Sequence, residues 1–295
     1  MDAIVVEARR NGIVEARHRV HAVAVQDGAV VAEAGKGGTV CFLRSSSKPL
    51  QALPLARARD DLDDADLAIA SASHRATAEQ LEAVRGLLAK AGATEDDLEL
   101  GLQPDRPPTK LHHNCSGKHA GMLALCRAHG WPTAAYVRAD HPAQQAMLAV
   151  HAEAAGASAD ELPAALDGCG VQTFALPLER MAFAFSRLEQ LEGGARVAAA
   201  MRARPELVGG PDGPDYELMR LLPGWIAKSG AEGLICAAGP GGLGVVLKTA
   251  DGGLRAHRPA LASFLGTLGH ELAGWSVVTV ENSRGEVVGS LSAAA

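Results

Sequence analysis

Serine and lysine stand close together near Ser45 and again near Lys228, and their spacing suits acyl transfer. Within Arg44-Ser45-Ser46-Ser47-Lys48-Pro49, Ser45 and Lys48 are three residues apart, a separation that meets across one helical turn. A serine hydroxyl attacks only after a base takes its proton, and a lysine is such a base only when its pKa is depressed. Pro49 biases Lys48 away from the α region and suits the first helical position, so the turn is expected just ahead of a helix. Ser73-His74 and Lys228-Ser229-Gly230 complete the order S-x-x-K, serine, K-[ST]-G, which is that of serine acyl enzymes with lysine bases.

The elements that must position these groups fall into a simple order. His21–Gln26 and Ala29–Ala34 flank Asp27-Gly28, a strong type I′ hairpin signal. Thr39–Leu43 reads as a strand delivering Arg44-Ser45, and Pro49 begins a helix, so the serine sits at a strand-to-helix junction. The apolar run Asp66–Ala72 brings Ser73 to a cleft, and Thr77–Ala91 has the spacing of an amphipathic helix. His112–Gly130 and His141–Val150 are helical, Pro177–Leu191 and Arg196–Arg204 also, and Asp167-Gly168-Cys169-Gly170 is a tight turn bearing a thiol. Strands return at Gly233–Ala238 and Leu243–Lys248, and Arg258-Pro259 precedes a helix to Leu272. The fold class is therefore mixed α/β (α+β): an antiparallel sheet built from both chain ends, residues 1–45 and 225–295, beside a mainly helical middle, 46–224, in one unit.

Composition narrows the partners. The 295 residues are 47% hydrophobic and 21% charged, ordinary for a globular chain. A net charge of −6 with mixed signs and only 3% aromatics point away from nucleic acid and anionic membranes. No apolar run reaches transmembrane length and the N-terminus lacks a signal-peptide pattern, so a cytoplasmic location is expected. The five cysteines are widely spread and odd in number, which argues for thiols, some of them ligands, rather than a disulfide framework.

Phe42–Leu53, Ala70–His74, Asn114-Cys115-Ser116-Gly117-Lys118-His119-Ala120-Gly121-Met122, Asp167–Gly170 and Lys228–Gly233 together resemble, in order, the signature blocks of the asparaginase II family, the rhizobial-type Ser-Lys asparaginases. The resemblance runs over nearly the whole chain. It implies hydrolysis of L-asparagine to aspartate and ammonia on a serine β-lactamase-like fold, with two Ser-Lys tandems, Ser45–Lys48 and Ser73–Lys228, in one cleft. Two adjacent ammonium groups cannot both stay charged cheaply, so one lysine becomes a neutral base. We favour Ser45 as nucleophile with Lys48 as base and Ser73 with Lys228 as relay, the reverse assignment remaining open. Cys115, Lys118 and Cys169 match a zinc trio of the family, Zn²⁺ being expected to position substrate rather than to do chemistry. Arg44 and Asp167 offer the charges to hold an amino acid's carboxylate and ammonium, and His74 and His119 could contact substrate. A homodimer acting on a small molecule is expected. Two departures stand out: Arg75-Ala76-Thr77 replaces the usual Ser-Gly-Glu, and Gln172 stands where proline is common. Rival readings are a penicillin-recognising serine hydrolase and an inactive amino-acid- or metal-binding protein.

Overall fold

The structure is a computed structural model that describes residues 1–294. Its strands are β1 (Ile4–Arg10), β2 (Ile13–Gln26), β3 (Ala29–Ala34), β4 (Val40–Phe42), β5 (Ala164–Leu166), β6 (Gln172–Pro177), β7 (Ile226–Ser229), β8 (Leu234–Gly239), β9 (Leu243–Thr249), β10 (Val277–Glu281) and β11 (Val287–Ala293). Eight of them form one antiparallel sheet in the order β10-β11-β1-β2-β9-β8-β7, with β3 paired to β2. The two chain ends meet in this sheet, Val6 opposite Ala293 and Val23 opposite Val246. The expected α/β class, a sheet from both termini packed with helices, is what the chain adopts.

Local chemistry explains the joints. Asp27 and Gly28 have φ of 51° and 78°, the paired positive values of a type I′ turn between twisted strands. Strand β8 is buried along its length and β9 nearly so, which is why both read as continuous apolar runs rather than alternating ones. Helices Leu178–Ser186 and His257–Gly266 pack on the sheet. The latter stops six residues short of the expected Leu272, in a stretch where Gly269 turns through φ 82°.

The middle of the chain is helical, as its spacing suggests, and some of its helices begin on a legible cap. Asp63 with Asp66, and Thr77 with Gln80, form capping boxes for helices Asp64–Ala70 and Ala78–Lys90. Helix Ser116–His129 lies against Asp64–Ala70 so closely that a Cβ on Gly117 would stand 2.3 Å from the Ile69 carbonyl oxygen. This contact packs the Ser116–Lys118 turn directly against the segment leading to Ser73. The same middle region also contains β5 and β6, which with β4 make a second, three-stranded sheet that the sequence reading did not separate from the helices. These strands are short and lack polar–apolar alternation, so period alone does not mark them.

Candidate active site

Strand β4 ends at Phe42, and residues 44–47 then form a tight helical turn running into helix Lys48–Gln51. Lys48 itself is helical, with φ −57° and ψ −36°, although the following proline disfavours that region. The bias is overcome because the Lys48 N–H bonds to the Ser45 carbonyl and the Lys48 carbonyl accepts from Ala52, so the residue is held in helical bonds on both sides. Arg44, entering the turn, sits at φ 49°, a left-handed conformation that a bulky residue adopts only when its surroundings hold it there. Those surroundings include a bond from the Arg44 N–H to Thr173 Oγ1 at 2.9 Å and one from Ser47 Oγ to the Arg44 carbonyl at 2.8 Å. Strand β7 passes directly over this turn. A Cβ on Gly230 would stand 2.7 Å from Ser46 Oγ and 2.9 Å from the Leu43 oxygen, which accounts for the glycine after Lys228-Ser229.

Lys48 is fully buried, and its amine bonds to the Ala72 carbonyl at 2.5 Å and to Ser73 Oγ at 3.0 Å. Burial pulls its pKa down from 10.5 to about 8; the nearby Lys118 and Lys228 charges push the same way, and Cys115 partly opposes them. The sequence-expected base is therefore in place, but the hydroxyl it touches is that of Ser73. Ser45 Oγ makes no protein hydrogen bond among the described residues, and the half-buried Ser45 leaves it open.

Among the described residues Ser73 and Lys228 share no hydrogen bond. Lys228 Nζ donates to Asp215 Oδ2 at 2.7 Å and to the Ser229 carbonyl at 2.9 Å, and both Lys228 and Asp215 are buried. Asp215 also accepts from the Ser229 N–H at 3.0 Å. Burial alone would raise its pKa, but the Lys228 charge and these hydrogen bonds prevail and leave it lowered. Asp215 was missed from sequence. It stands at the start of helix Pro214–Leu221, where an acidic residue is ordinary, and only burial marks it as unusual.

The four proposed substrate contacts divide. Arg44 Nε and Asp167 Oδ1 bond to each other at 2.5 Å, so these opposite charges meet within the protein. His74 is fully buried. Its Nδ1 accepts from the Ala76 N–H at 3.1 Å and its Nε2 lies 2.8 Å from Ser116 Oγ, so neither ring nitrogen is left for a substrate. Burial and the Lys48 charge lower its pKa to about 3. His119 is likewise buried and held near 4, chiefly by desolvation. Tyr136 Oη accepts from the Glu99 N–H and lies 2.8 Å from His119 Nδ1, while His119 Nε2, which neighbours Cys169, makes no well-aligned bond.

The two cysteine motifs do converge. Asp167–Gly170 forms the β5–β6 turn, closed by a bond from the Gly170 N–H to the Asp167 carbonyl at 2.9 Å. This turn brings Cys169 to Cys115 and to Lys118, whose amine lies 3.0 Å from Cys169 Sγ. A hydrogen bond from the Cys115 thiol and the Lys118 and His119 positions drive Cys169 strongly towards thiolate, while the same bond and burial keep Cys115 a thiol. Burial lowers the pKa of Lys118, but the two sulfurs outweigh it and the net shift is upward. Two sulfurs and one amine thus meet. Among the described residues no group of three His, Cys, Asp or Glu side chains could hold a metal ion, so Lys118, whose proton is held more tightly than usual, would have to give it up to serve as a third donor.

Ser73 opens on a cavity of about 330 Å³ that Asp215, Ser229 and His257 also line. A depressed, buried lysine bonded to a serine at the mouth of such a cavity is the equipment of a serine acyl hydrolase. The sequence profile of the L-asparaginase II family matches residues 6–293, and the chain belongs to that family, whose members are amidohydrolases. No curated protein gives a significant match. Among solved structures, a β-lactamase from Mycobacterium bovis is similar at 16% identity, over 79% of this chain and 88% of that one, with a TM-score of 0.33.

The buried Asp215–Lys228 pair yields a stability prediction. Asp215→Asn, which strands the lysine, is expected to cost about 3–5 kcal/mol, whereas the double change Asp215→Leu with Lys228→Met is expected to recover most of that loss. Urea unfolding of the three proteins measures both, and an undiminished midpoint in Asp215→Asn would remove the pair from the account.

Proposed function

We propose that this L-asparaginase cuts its amide through a serine activated by Lys48, and that Ser73 is the serine it activates. The observation that carries the reading is the bond between the buried Lys48 amine and Ser73 Oγ beside the cavity. Neutral Lys48 takes the Ser73 proton as the oxygen attacks the side-chain amide carbon of asparagine. The C–N bond then breaks, Lys48 returns the proton to the departing ammonia, and an aspartyl ester remains on the serine. A water molecule, losing its proton to Lys48, attacks the ester carbonyl, the bond to Ser73 Oγ breaks, and Lys48 returns that proton to the serine oxygen as aspartate leaves. Lys228, bound by Asp215, serves as a fixed positive charge that helps hold Lys48 neutral.

A second assignment rests on its own observation. Ser45 follows the left-handed Arg44 and has no protein partner for its oxygen, so it could attack while Ser73 carries its proton to Lys48. An electrophilic asparagine analogue that esterifies the attacking oxygen separates the two by peptide mass spectrometry. We expect the label on Ser73, lost in Ser73→Ala and retained in Ser45→Ala; a label found only on Ser45 reverses the roles.

The pH profile tests the base. The group is active when deprotonated, so kcat/KM should rise through Lys48's value of about 8 and level above it. His74 and His119, held near 3 and near 4, are neutral throughout the physiological range and contribute no limb near 6.5. A limb centred near 6.5, removed by changing either histidine, would overturn Lys48 as base.

Zinc is proposed at Cys115, Cys169 and Lys118. When bound, it would supply a Lewis-acidic positive charge for orienting substrate. The protein is expected to retain about one Zn²⁺ per chain after zinc loading and gel filtration, as measured by elemental analysis, and to lose it in Cys115→Ser or Cys169→Ser. Zinc retained by both variants would place it elsewhere. A homodimer and a cytoplasmic setting belong to the same proposal; no helix among the described residues is long and apolar enough to cross a membrane.

A further inference from the structure

The cavity beside Ser73 holds two guanidinium groups without acidic partners. Arg75 lies two residues beyond Ser73, its stem packed under the loop at Gly210, where a Cβ would stand 3.1 Å from Arg75 Cδ. Its Nε donates to the Gly209 carbonyl at 3.2 Å, and its terminal nitrogens have no protein acceptor. Arg255 reaches the same cavity from the turn before helix His257–Gly266. Its Nε donates to His18 Nε2 at 2.8 Å, His18 being fixed by Asp251 through its other nitrogen, and again the terminal nitrogens are free. Neither arginine forms an ion pair with a carboxylate, whereas the third arginine of the cavity, Arg258, is paired with Glu217. Both arginines are exposed, and among the described residues each keeps its two terminal nitrogens unbonded, leaving free the edge that suits a carboxylate.

His257, 1% exposed, also lines the cavity, with both ring nitrogens turned into the protein rather than into the open space. At about 330 Å³ the space sits at the small end of ligand pockets, in keeping with a single amino acid. Arg44, the arginine that the motif suggests for a carboxylate, is instead bonded to Asp167.

We propose that Arg75 and Arg255 form a carboxylate clamp in the Ser73 cavity that holds the α-carboxylate of the amide substrate and selects free amino acids over their blocked forms. The inference rests on the reading that the amide is cut at this cavity. It assigns a specificity role to Arg75, the residue at which this chain departs from the usual Ser-Gly-Glu.

The test compares L-asparagine with L-asparaginamide, in which the α-carboxylate is replaced by a neutral amide. Binding is measured by titration calorimetry on the full chain carrying Ser73→Ala, and KM and kcat on the chain with Ser73 intact. Asparagine is expected to bind at least about tenfold more tightly than asparaginamide, as a charge-assisted pair requires. Arg75→Gln and Arg255→Gln should each erase most of that preference, Arg75→Lys only part of it, with unchanged melting temperatures confirming the fold. In turnover the loss should appear as a raised KM for asparagine with little change for asparaginamide. An equal preference in the parent and both glutamine variants overturns the clamp, as does failure of asparagine to bind at all. Full turnover by Ser73→Ala, with the preference still erased by Arg75→Gln, upholds the clamp and sinks only the assignment of Ser73.

Discussion

A lysine with no carboxylate beside it, buried to zero exposure, is the constraint on which the rest of this site depends. Desolvation lowers the Lys48 pKa from 10.5 to about 8, and the sign of the consequence for stability is fixed. Between those values the unfolded chain binds the proton that the folded chain does not, so stability rises with pH across that window and is lowest below it. Near neutrality the folded protein carries a cost of roughly 3 kcal/mol for keeping this group inside, at about 1.36 kcal/mol for each pKa unit. A base strong enough to deprotonate serine, yet unprotonated often enough to act, is obtained by accepting that instability locally.

The two lysines of the motifs show how environment, not residue type, assigns roles. Lys48 has two neutral oxygens, the Ala72 carbonyl and Ser73 Oγ, to meet its amine. Lys228 has a carboxylate at 2.7 Å. The first has no counterion and its pKa is lowered; the second is locked to Asp215 in a buried pair in which removing either partner would leave the other buried and alone. A fixed ammonium nearby then lowers the pKa of its neighbour, so the pair that does no chemistry helps tune the one that does.

Much of this was legible in the chain. Asp27-Gly28 announced its hairpin, Thr77 its helix, and the Ser45–Lys48 turn its place between strand and helix, whereas the Asp64–Ala70 helix read only as an apolar run. The serine-to-lysine partnership was not, because a bond across 25 positions depends on how the Asp64–Ala70 helix returns to the Lys48 turn, and neither segment encodes that distance. Asp215 was invisible for a related reason: at a helix start an aspartate is commonplace, and only the tertiary burial of Lys228 beside it makes it a counterion. The small β4–β6–β5 sheet, too short to show a period, is what carries Asp167 to Arg44 and Cys169 to Lys118.

That small sheet links the sulfur cluster to the base through charge. Cys115 acts to raise the Lys48 pKa and Lys118 to lower it, so the protonation of one cluster is felt by the other. Burial remains the largest influence on Lys48, and the lowering by Lys118 exceeds the raising by Cys169. A zinc ion held there would displace the Cys115 and Lys118 protons, so two positive charges would enter as two leave and the cluster's net charge would be unchanged. The same physical rule that separates Lys48 from Lys228 thereby couples the two cysteine motifs to the serine chemistry through the charges they place near Lys48.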